Sequence, residues 1–583
     1  MRRSIHCVIA IVAVSWSIGW IGSQLGLTAP VRGKQGMVVS AHPLASQVGL
    51  KMLQQGGNAI DAAVATTLAI SVVEPFSAGI GGGGFLLLRS GQTGEIKALD
   101  FRERAPLTAT PTMYLDQAGK VQADRSKKGH LAVATPGTIA GLVAVHQQYG
   151  RLPWKTVVAP AIQLAENGFP VSPRLLAAIN RSTLLADPTA RQIFTRNGTT
   201  PLRLGDVLVQ RDLAKTLRAI AIDPQAFYTG NIAKAIAQDM RAKGGLITLA
   251  DLQRYRPIWR EAMCGNFRSA RICSMPPPSS GGVLLLEMLN LIGSTDLKAM
   301  GWQSPQVLHL LVEVMKIAYA DRAEYLGDPD FVQVPAAALT SPHYAQIRRQ
   351  EIDAQRARSS ATVKPADRQL LQRLSNQSLT PKPAGQSQTK ESADTTHLSV
   401  VDRDGNAISL TFTVNLGFGA EVIVPGTGII LNNEMDDFAV APNVPNAFGL
   451  VGGAANAIAP SKTPLSSMTP TIVTENGKLR LVTGSPGGST IITTVFQIVL
   501  NVLVYNLDVK DAVASPRIHH QWLPDQVGME PGFDAATLAN LRQRGHNVVE
   551  GRSWGNANAI VRTPEGWLEG AADPRGEGTA AGY

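Results

Sequence analysis

The sequence predicts a large globular α/β fold, and three observations carry that reading. Hydrophobic residues make up 44% of the 583 and charged residues 17%, ample material for a core and unlike a disordered chain. Helical and strand-like apolar periodicities alternate along the chain. Glycine-rich turns separate them, although 55 Gly and 36 Pro fall short of a low-complexity composition.

The first residues read as a targeting segment. Arg2 and Arg3 precede an uncharged apolar stretch from about Cys7 to Ile21, followed by small residues between Gly22 and Pro30. That apolar run barely reaches the ~18–20 residues that span a bilayer comfortably. Residues 1–30 therefore read as a signal peptide in preference to a membrane anchor, and the body as exported to a periplasmic or extracellular space. Cys7 lies in this leader. Cys264 and Cys273 remain, and an oxidising compartment permits a bridge between them; spacing alone leaves the bridge and two reduced thiols both open. The ten histidines are scattered, with no Cys/His cluster at metal-ligand spacing, so no metal and no cofactor is expected.

The net charge of +10 is unevenly placed. From Thr395 onward 11 Lys and Arg face 17 Asp and Glu, a net of −6, which leaves +16 on the preceding part. Two such pieces attract each other. Basic clusters such as Arg125-Ser-Lys-Lys128 are short and lack interleaved aromatics, so no nucleic-acid partner is expected.

Along the chain, Ser46 to Gln55 reads as an amphipathic helix stopped by Gly56-Gly57, and Asn58 with Asp61 opens a second helix toward Val73. The run Gly79-Ile-Gly-Gly-Gly-Gly84 lacks the Lys-Ser/Thr ending of a phosphate-binding loop and points to close backbone packing. Near Ser304 another helix starts, with Val307, Leu308, Leu311, Val314, Ile317 and Ala318 on one face. From about Arg356 to Asp394 the chain is polar and lacks aromatic residues, which reads as a mobile linker.

Strand character begins at once after Asp394. Thr395 to Asp402 and Ala407 to Asn415 flank Arg403-Asp404-Gly405, a three-residue hairpin loop with Gly where a left-handed backbone is needed. In that register Asp402 pairs with Asn406, so Thr395 lies opposite Thr413 and two hydroxyls meet at the strand start. A Thr hydroxyl is a weak nucleophile without a base, and an N-terminal Thr carries its own, the free α-amine. That amine titrates near neutrality, at about 7.7–8.0. Scission between Asp394 and Thr395 would create it, and the Thr395 hydroxyl can itself attack the Asp394 carbonyl. Further on, Gly484-Ser-Pro-Gly-Gly488 follows an apolar strand. Its N–H groups at Gly487 and Gly488 suit an oxyanion hole, and a plain tight turn explains the same residues equally well.

Together these residues resemble the gamma-glutamyltransferase (gamma-glutamyl transpeptidase) family of N-terminal-nucleophile hydrolases. The likeness runs through Glu74-Pro with the glycine run, Asp100-Phe-Arg-Glu103, Thr135-Pro-Gly-Thr138, Ser274-Met-Pro-Pro-Pro-Ser-Ser-Gly-Gly282 and Tyr319-Ala-Asp-Arg322. It continues through Thr395-Thr-His, Asn432-Asn-Glu-Met-Asp-Asp437, Pro464-Leu-Ser-Ser-Met468, Gly484 to Gly488 and His519-His-Gln-Trp522. The resemblance implies a four-layer αββα sandwich built from a large chain, 31–394, and a small catalytic chain, 395–583. It implies Thr395 as nucleophile, Thr413 as the assisting hydroxyl, and Gly487 and Gly488 as oxyanion donors. Arg102, Ser466 and Ser467 would hold the α-carboxylate of a γ-glutamyl group, and Asn415, Glu434 and Asp437 its α-ammonium. The implied substrates are glutathione and related γ-glutamyl compounds, with water, amino acids or dipeptides as acceptors. The alternative is an acylase acting on glutaryl-cephalosporin-like amides. One departure stands out: Phe448 replaces a lid Tyr found in some relatives, so no phenolic bond to Asn415 can form. Lid closure is then expected to rest on apolar packing and on Pro442 and Pro445.

Overall fold

The computed structural model describes residues 29–122, 124–375, 394–441 and 444–583. The leader with Cys7, residues 376–393 of the expected linker, and Pro442 lie outside the described residues.

Two seven-stranded antiparallel sheets organise the chain. The first runs Val31–Gly33, Leu568–Ala572, Asn558–Arg562, Lys478–Gly484, Thr471–Glu475, Ala270–Ser274 and Met263–Phe267. The second runs Thr579–Gly582, Gly36–Ser40, Thr396–Asp402, Ala407–Thr413, Gly83–Arg89, Ile96–Asp100 and Ile258–Glu261. Successive residues of a strand face opposite sides, and burial follows that rule. Met37, Val39 and Val401 of the second sheet join Ile472, Leu479, Val482 and Ile560 of the first in one apolar cluster. Their neighbours Val38, Leu398 and Val400 instead pack among residues of the helices Pro43–Gln54 and Ala59–Val73. On the first sheet, Ile272, Val473, Leu481 and Val561 pack among the helices Gly281–Ile292, Pro305–Tyr325 and Thr490–Leu503.

The local signals behave as expected at several points. The first helix ends at Gln54, just before the two glycines, and a reciprocal capping box of Asn58 and Asp61 opens the next. Ser304 caps the helix Pro305–Tyr325. That helix is buried well beyond the one face its periodicity marks. The charges this buries find partners, as Lys316 Nζ lies 2.8 Å from Glu313 and 2.6 Å from the Arg358 carbonyl. In the glycine run, a Cβ at Gly81 would stand 2.1 Å from the Ile430 carbonyl oxygen, and one at Gly82 1.9 Å from that of Thr413. Only glycine permits the backbone to pass so close beneath the strand that ends in Thr413.

The linker reading needs correction in its first part. Val363, Ala366 and Leu371 are buried, the Ser360 and Val363 carbonyls accept from Trp522 Nε1, and Arg368–Ser375 is helical. A few apolar residues spaced among polar ones suffice to dock this segment. The structure also joins Cys264 and Cys273, directly opposite on adjacent strands, in a disulfide. The scattered histidines meet at one point, where His309 Nδ1 lies 2.7 Å from His546 Nε2 beside Glu313. No helix among the described residues is long and apolar enough to cross a membrane.

Candidate active site

The hairpin Thr396–Asp402/Ala407–Thr413 lies at the centre of the second sheet, with Thr396 paired to Phe412 and Gly405 at φ 81° in its loop. This is the register read from the loop, and it puts Thr395 Oγ1 3.1 Å from Thr413 Oγ1. Thr413 Oγ1 also accepts the Asn415 N–H at 2.8 Å and donates to the Asp394 carbonyl oxygen at 3.2 Å. A hydroxyl has one proton. Since Thr413 gives its proton to Asp394, the Thr395 hydroxyl is the donor between the two threonines. The result is a chain from Thr395 through Thr413 to the carbonyl immediately before Thr395, in a buried setting.

Asn415 follows the strand with φ 77°, a left-handed conformation that Asn tolerates better than most residues. Its Nδ2 donates to the Asn433 carbonyl at 3.0 Å. Asn432 in turn bonds the Gly81 and Ala134 carbonyls and receives the Glu434 N–H. These bonds fix the single helical turn Glu434–Asp437 against the glycine run.

Arg102, just beyond the strand Ile96–Asp100, is fully buried and donates to the Pro464 carbonyl. Its two terminal nitrogens reach Glu434 at 2.6 Å and Asp437. The cation and carboxylates expected at opposite ends of a ligand are thus in direct contact. Ser466 and Ser467 line the same cavity, and the Ser467 hydroxyl accepts from Arg322 Nη2 at 3.3 Å.

Two residues of this cluster were present in the motifs but given no role there, namely Glu103 and Arg322. Burial pushes the Glu103 carboxyl up to about 7 against the pull of Arg102 and of hydrogen bonds from its own backbone N–H and from the Glu434 carboxyl. Glu434 is pushed well above the usual carboxylate range by burial, with Glu103 and Asp437 adding to the effect and Arg102 opposing it. For Arg102 itself burial works against the charge, yet Glu434 and Asp437 more than offset it and raise its pKa. The Arg102 and Glu434 tendencies conflict if their contact is treated as a simple ion pair. They agree once all three carboxylates are counted against this guanidinium. Arg102 stays charged, and the Glu103–Glu434 pair retains a proton. Burial lowers Arg322 to about 10, so it remains a cation at neutral pH.

Gly487 and Gly488 lie between the strand Lys478–Gly484 and the helix Thr490–Leu503, with φ 134° and 55°. Gly488 lines the cavity with Thr395, while Gly487 lines an adjoining one with Asp394. A Cβ on Gly488 would come within 2.3 Å of the Phe448 ring, so Phe448 packs directly on this turn.

The stretch expected to act as a lid is held by more than the apolar packing and prolines expected of it. Asp436 accepts the Ala447 N–H at 2.8 Å, and Asn446 Oδ1 accepts from the Phe448 and Leu450 N–H groups. Asn446 Nδ2 reaches Asp437, and Gln521 donates to the Phe448 carbonyl. Sequence patterning could not assign these polar ties.

A family model described as Gamma-glutamyltranspeptidase matches residues 45–583. The chain is 46% identical over 559 residues to the glutathione hydrolase proenzyme of Escherichia coli (strain K12), covering 95% of this chain and 93% of that one. It is 39% identical over 561 residues to the acylase ACY 1 proenzyme of Pseudomonas sp. (strain SE83), covering 94% of each. Among solved structures, cephalosporin acylase from Bacillus halodurans matches with a TM-score of 0.82 at 30% identity, covering 98% of this chain and 99% of that one. The chain belongs to the gamma-glutamyltranspeptidase family.

Proposed function

We propose that this chain is an exported, self-processing γ-glutamyltransferase that cleaves glutathione and related γ-glutamyl amides and passes the acyl group to water or an acceptor amine. The observation that carries this reading is the contact of Thr395 with Thr413 and of Thr413 with the Asp394 carbonyl, beside a cavity lined by Arg102, Glu434, Asp437, Ser466 and Ser467.

Maturation begins as Thr395 Oγ attacks the Asp394 carbonyl carbon, which Thr413 polarises by donating to its oxygen. The Asp394–Thr395 C–N bond breaks, the nitrogen takes up the hydroxyl proton, and an ester joins Asp394 to Thr395 Oγ. Water opens that ester, leaving the Asp394 carboxylate and a free Thr395 amine. The products are a large chain ending at Asp394 and a small chain of residues 395–583, together forming a four-layer αββα sandwich. In turnover the new amine accepts the Thr395 hydroxyl proton as the oxygen attacks the γ-carbonyl. The Gly487 and Gly488 N–H groups stabilise the developing oxyanion. The leaving amine takes the proton, and the acyl ester awaits water or an acceptor.

A γ-glutamyl head is a zwitterion. Its α-carboxylate would take Arg102 with the Ser466 and Ser467 hydroxyls, and its α-ammonium would take Asn415, Glu434 and Asp437. The likeness to acylases favours a second reading, a glutaryl-amide acylase. A glutaryl group has no ammonium, so it would leave the acceptor groups of Asn415, Glu434 and Asp437 without the donor that a glutamyl head supplies. The experiment has two parts. Intact mass of the purified protein should give a small chain starting at Thr395, and kcat/KM should favour a γ-glutamyl anilide over the glutaryl anilide. An uncut chain, or preference for the glutaryl compound, would overturn the proposal.

A further inference from the structure

Outside the active site, one buried cluster of ligating side chains takes no part in the chemistry above. His309 and Glu313 stand four residues apart on the helix Pro305–Tyr325, which sets both on one face. His546 lies between the helix Ala535–Gln543 and the strand Val548–Glu550, so it comes from the opposite side of the Asp394–Thr395 bond. One ligand atom of each residue lies within 4.8 Å of those of the other two. His309, Glu313 and His546 are 2%, 1% and 5% exposed.

Hydrogen bonds orient these groups. His309 Nε2 lies 2.7 Å from the Asp353 carbonyl oxygen, which can only accept, so that nitrogen carries the ring proton. In the neutral ring Nδ1 is then a lone pair, and it faces His546 Nε2 at 2.7 Å. A backbone carbonyl on the far nitrogen commonly fixes a metal-ligating histidine in this way. Glu313 Oε1 is held by Lys316 Nζ at 2.8 Å and by the Arg358 N–H at 3.3 Å. Its other oxygen, Oε2, is buried with no hydrogen-bond donor among the described residues. A hydrogen bond between the two histidines accounts for the rings and leaves this carboxylate oxygen unexplained, at a cost in desolvation.

Two imidazole nitrogens and a carboxylate oxygen suit a zinc ion, with a fourth position left for water. We propose that His309, Glu313 and His546 form a zinc-binding site that ties the large chain to the small chain. The inference goes beyond the proposed activity, and only the tie between separate chains rests on scission at Asp394. The two rings must part slightly, since zinc–nitrogen distances of about 2.0–2.1 Å put tetrahedral ligands about 3.3 Å apart. Lys316 reduces the charge that Glu313 offers, so a chelator should strip the ion. The same region already joins the two chains. The Ala357 N–H donates to the Arg544 carbonyl at 2.7 Å, and Arg544 Nη1 donates to the Ala354 carbonyl at 2.8 Å.

The test uses the full-length, self-cut protein, stripped with a chelator, mixed with a slight excess of zinc chloride and passed through gel filtration. Metal analysis should find about one zinc per pair of chains, and the loaded protein should melt a few degrees above the stripped one, because the ion binds the folded state. Glu313→Gln and His546→Gln should each lose the zinc and that rise in Tm. Cobalt(II) on the natural protein should show the visible absorption of a four-coordinate ion, a readout that needs no variant. The uncut Thr395→Ala chain should bind the same single zinc, so failure of scission overturns the tie between chains and the self-processing reading together, and leaves the site. Zinc retained equally by both variants would mark an adventitious ion only, and a natural protein that keeps no zinc would reduce the cluster to a histidine pair. Either result overturns the site.

Discussion

Thr413 Oγ1 stands 3.1 Å from Thr395 Oγ1, on the strand that pairs directly with the one Thr395 opens. Both side chains are held by the central hairpin of a sheet, so their separation is set by backbone pairing and not by loop conformation. Such a mounting suits a hydroxyl that must attack a carbonyl within its own chain, because few degrees of freedom remain to be frozen.

Thr395→Ala should leave an uncut, inactive precursor, and Thr395→Ser should still cut, since Ser keeps the hydroxyl. Thr413→Ala should cut about tenfold or more slowly, as a donor to the Asp394 carbonyl is worth roughly 0.5–1.5 kcal/mol and leaves a buried acceptor unpaired when lost. Denaturing electrophoresis over time, with sequencing of the smaller band, checks both. Normal processing of the Thr395→Ala variant would assign the cut to another agent.

Arg102→Lys keeps the charge but not the planar fork that spans Glu434 and Asp437. Hydrogen bonds to charged groups are worth about 1.5–3 kcal/mol, so KM for a γ-glutamyl anilide should rise roughly 10- to 100-fold. A smaller fall in kcat would fit a contact made equally in ground and transition states. An unchanged KM would point to another carboxylate anchor, with Arg322 the nearest candidate.

Glu103 gives a pH prediction. Its carboxyl is raised to about 7 from an ordinary 4.5, chiefly by burial. Between those values the folded chain keeps a proton that the unfolded chain has released. Stability must therefore fall as pH rises through that window. Glu103→Gln removes this group's share, so the loss in Tm from pH 5 to pH 7 should be smaller in the variant than in the natural chain. Equal losses would show that Glu103 does not hold the proton.

Much of the site's frame was legible because it is local. A three-residue loop ending in Gly405 fixes a hairpin register, and that register alone places Thr395 against Thr413. Asn58 with Asp61, and Ser304, mark helix starts through bonds spanning three residues. Other features depend on contacts far apart in sequence. Arg102 and Asp437 are 335 residues apart, and no periodicity predicts that one will touch the other. Glu103 follows Arg102 and looks like an ordinary solvated charge until the fold buries it. The stretch 356–375 misleads for a different reason. Its composition is that of a linker, and docking depends on three well-placed apolar residues and on carbonyls that Trp522 happens to reach. The αββα layering was implied by resemblance, since alternating helices and strands fit many α/β arrangements.

The lid makes the final prediction. Asn446 ties the Phe448 and Leu450 N–H groups and reaches Asp437, so one side chain links the lid to the acidic turn. Two of these bonds lie within the lid, so Asn446→Ala removes one tie to the body, the bond to the Asp437 carboxylate. A hydrogen bond to a charged group is worth about 1.5–3 kcal/mol, so the open population should rise by an order of magnitude or more. Water is far more abundant than any acceptor, so an open lid should favour hydrolysis of the acyl-enzyme. The transfer-to-hydrolysis ratio at a fixed dipeptide concentration should therefore fall in Asn446→Ala. Phe448→Tyr should move it the other way, because a phenol beside Asn415 adds a bond to the closed form while keeping the ring's packing on Gly488. Opposite shifts in the two variants would tie the partition to lid closure. Equal ratios in both would mean that the lid does not govern which nucleophile reaches the ester.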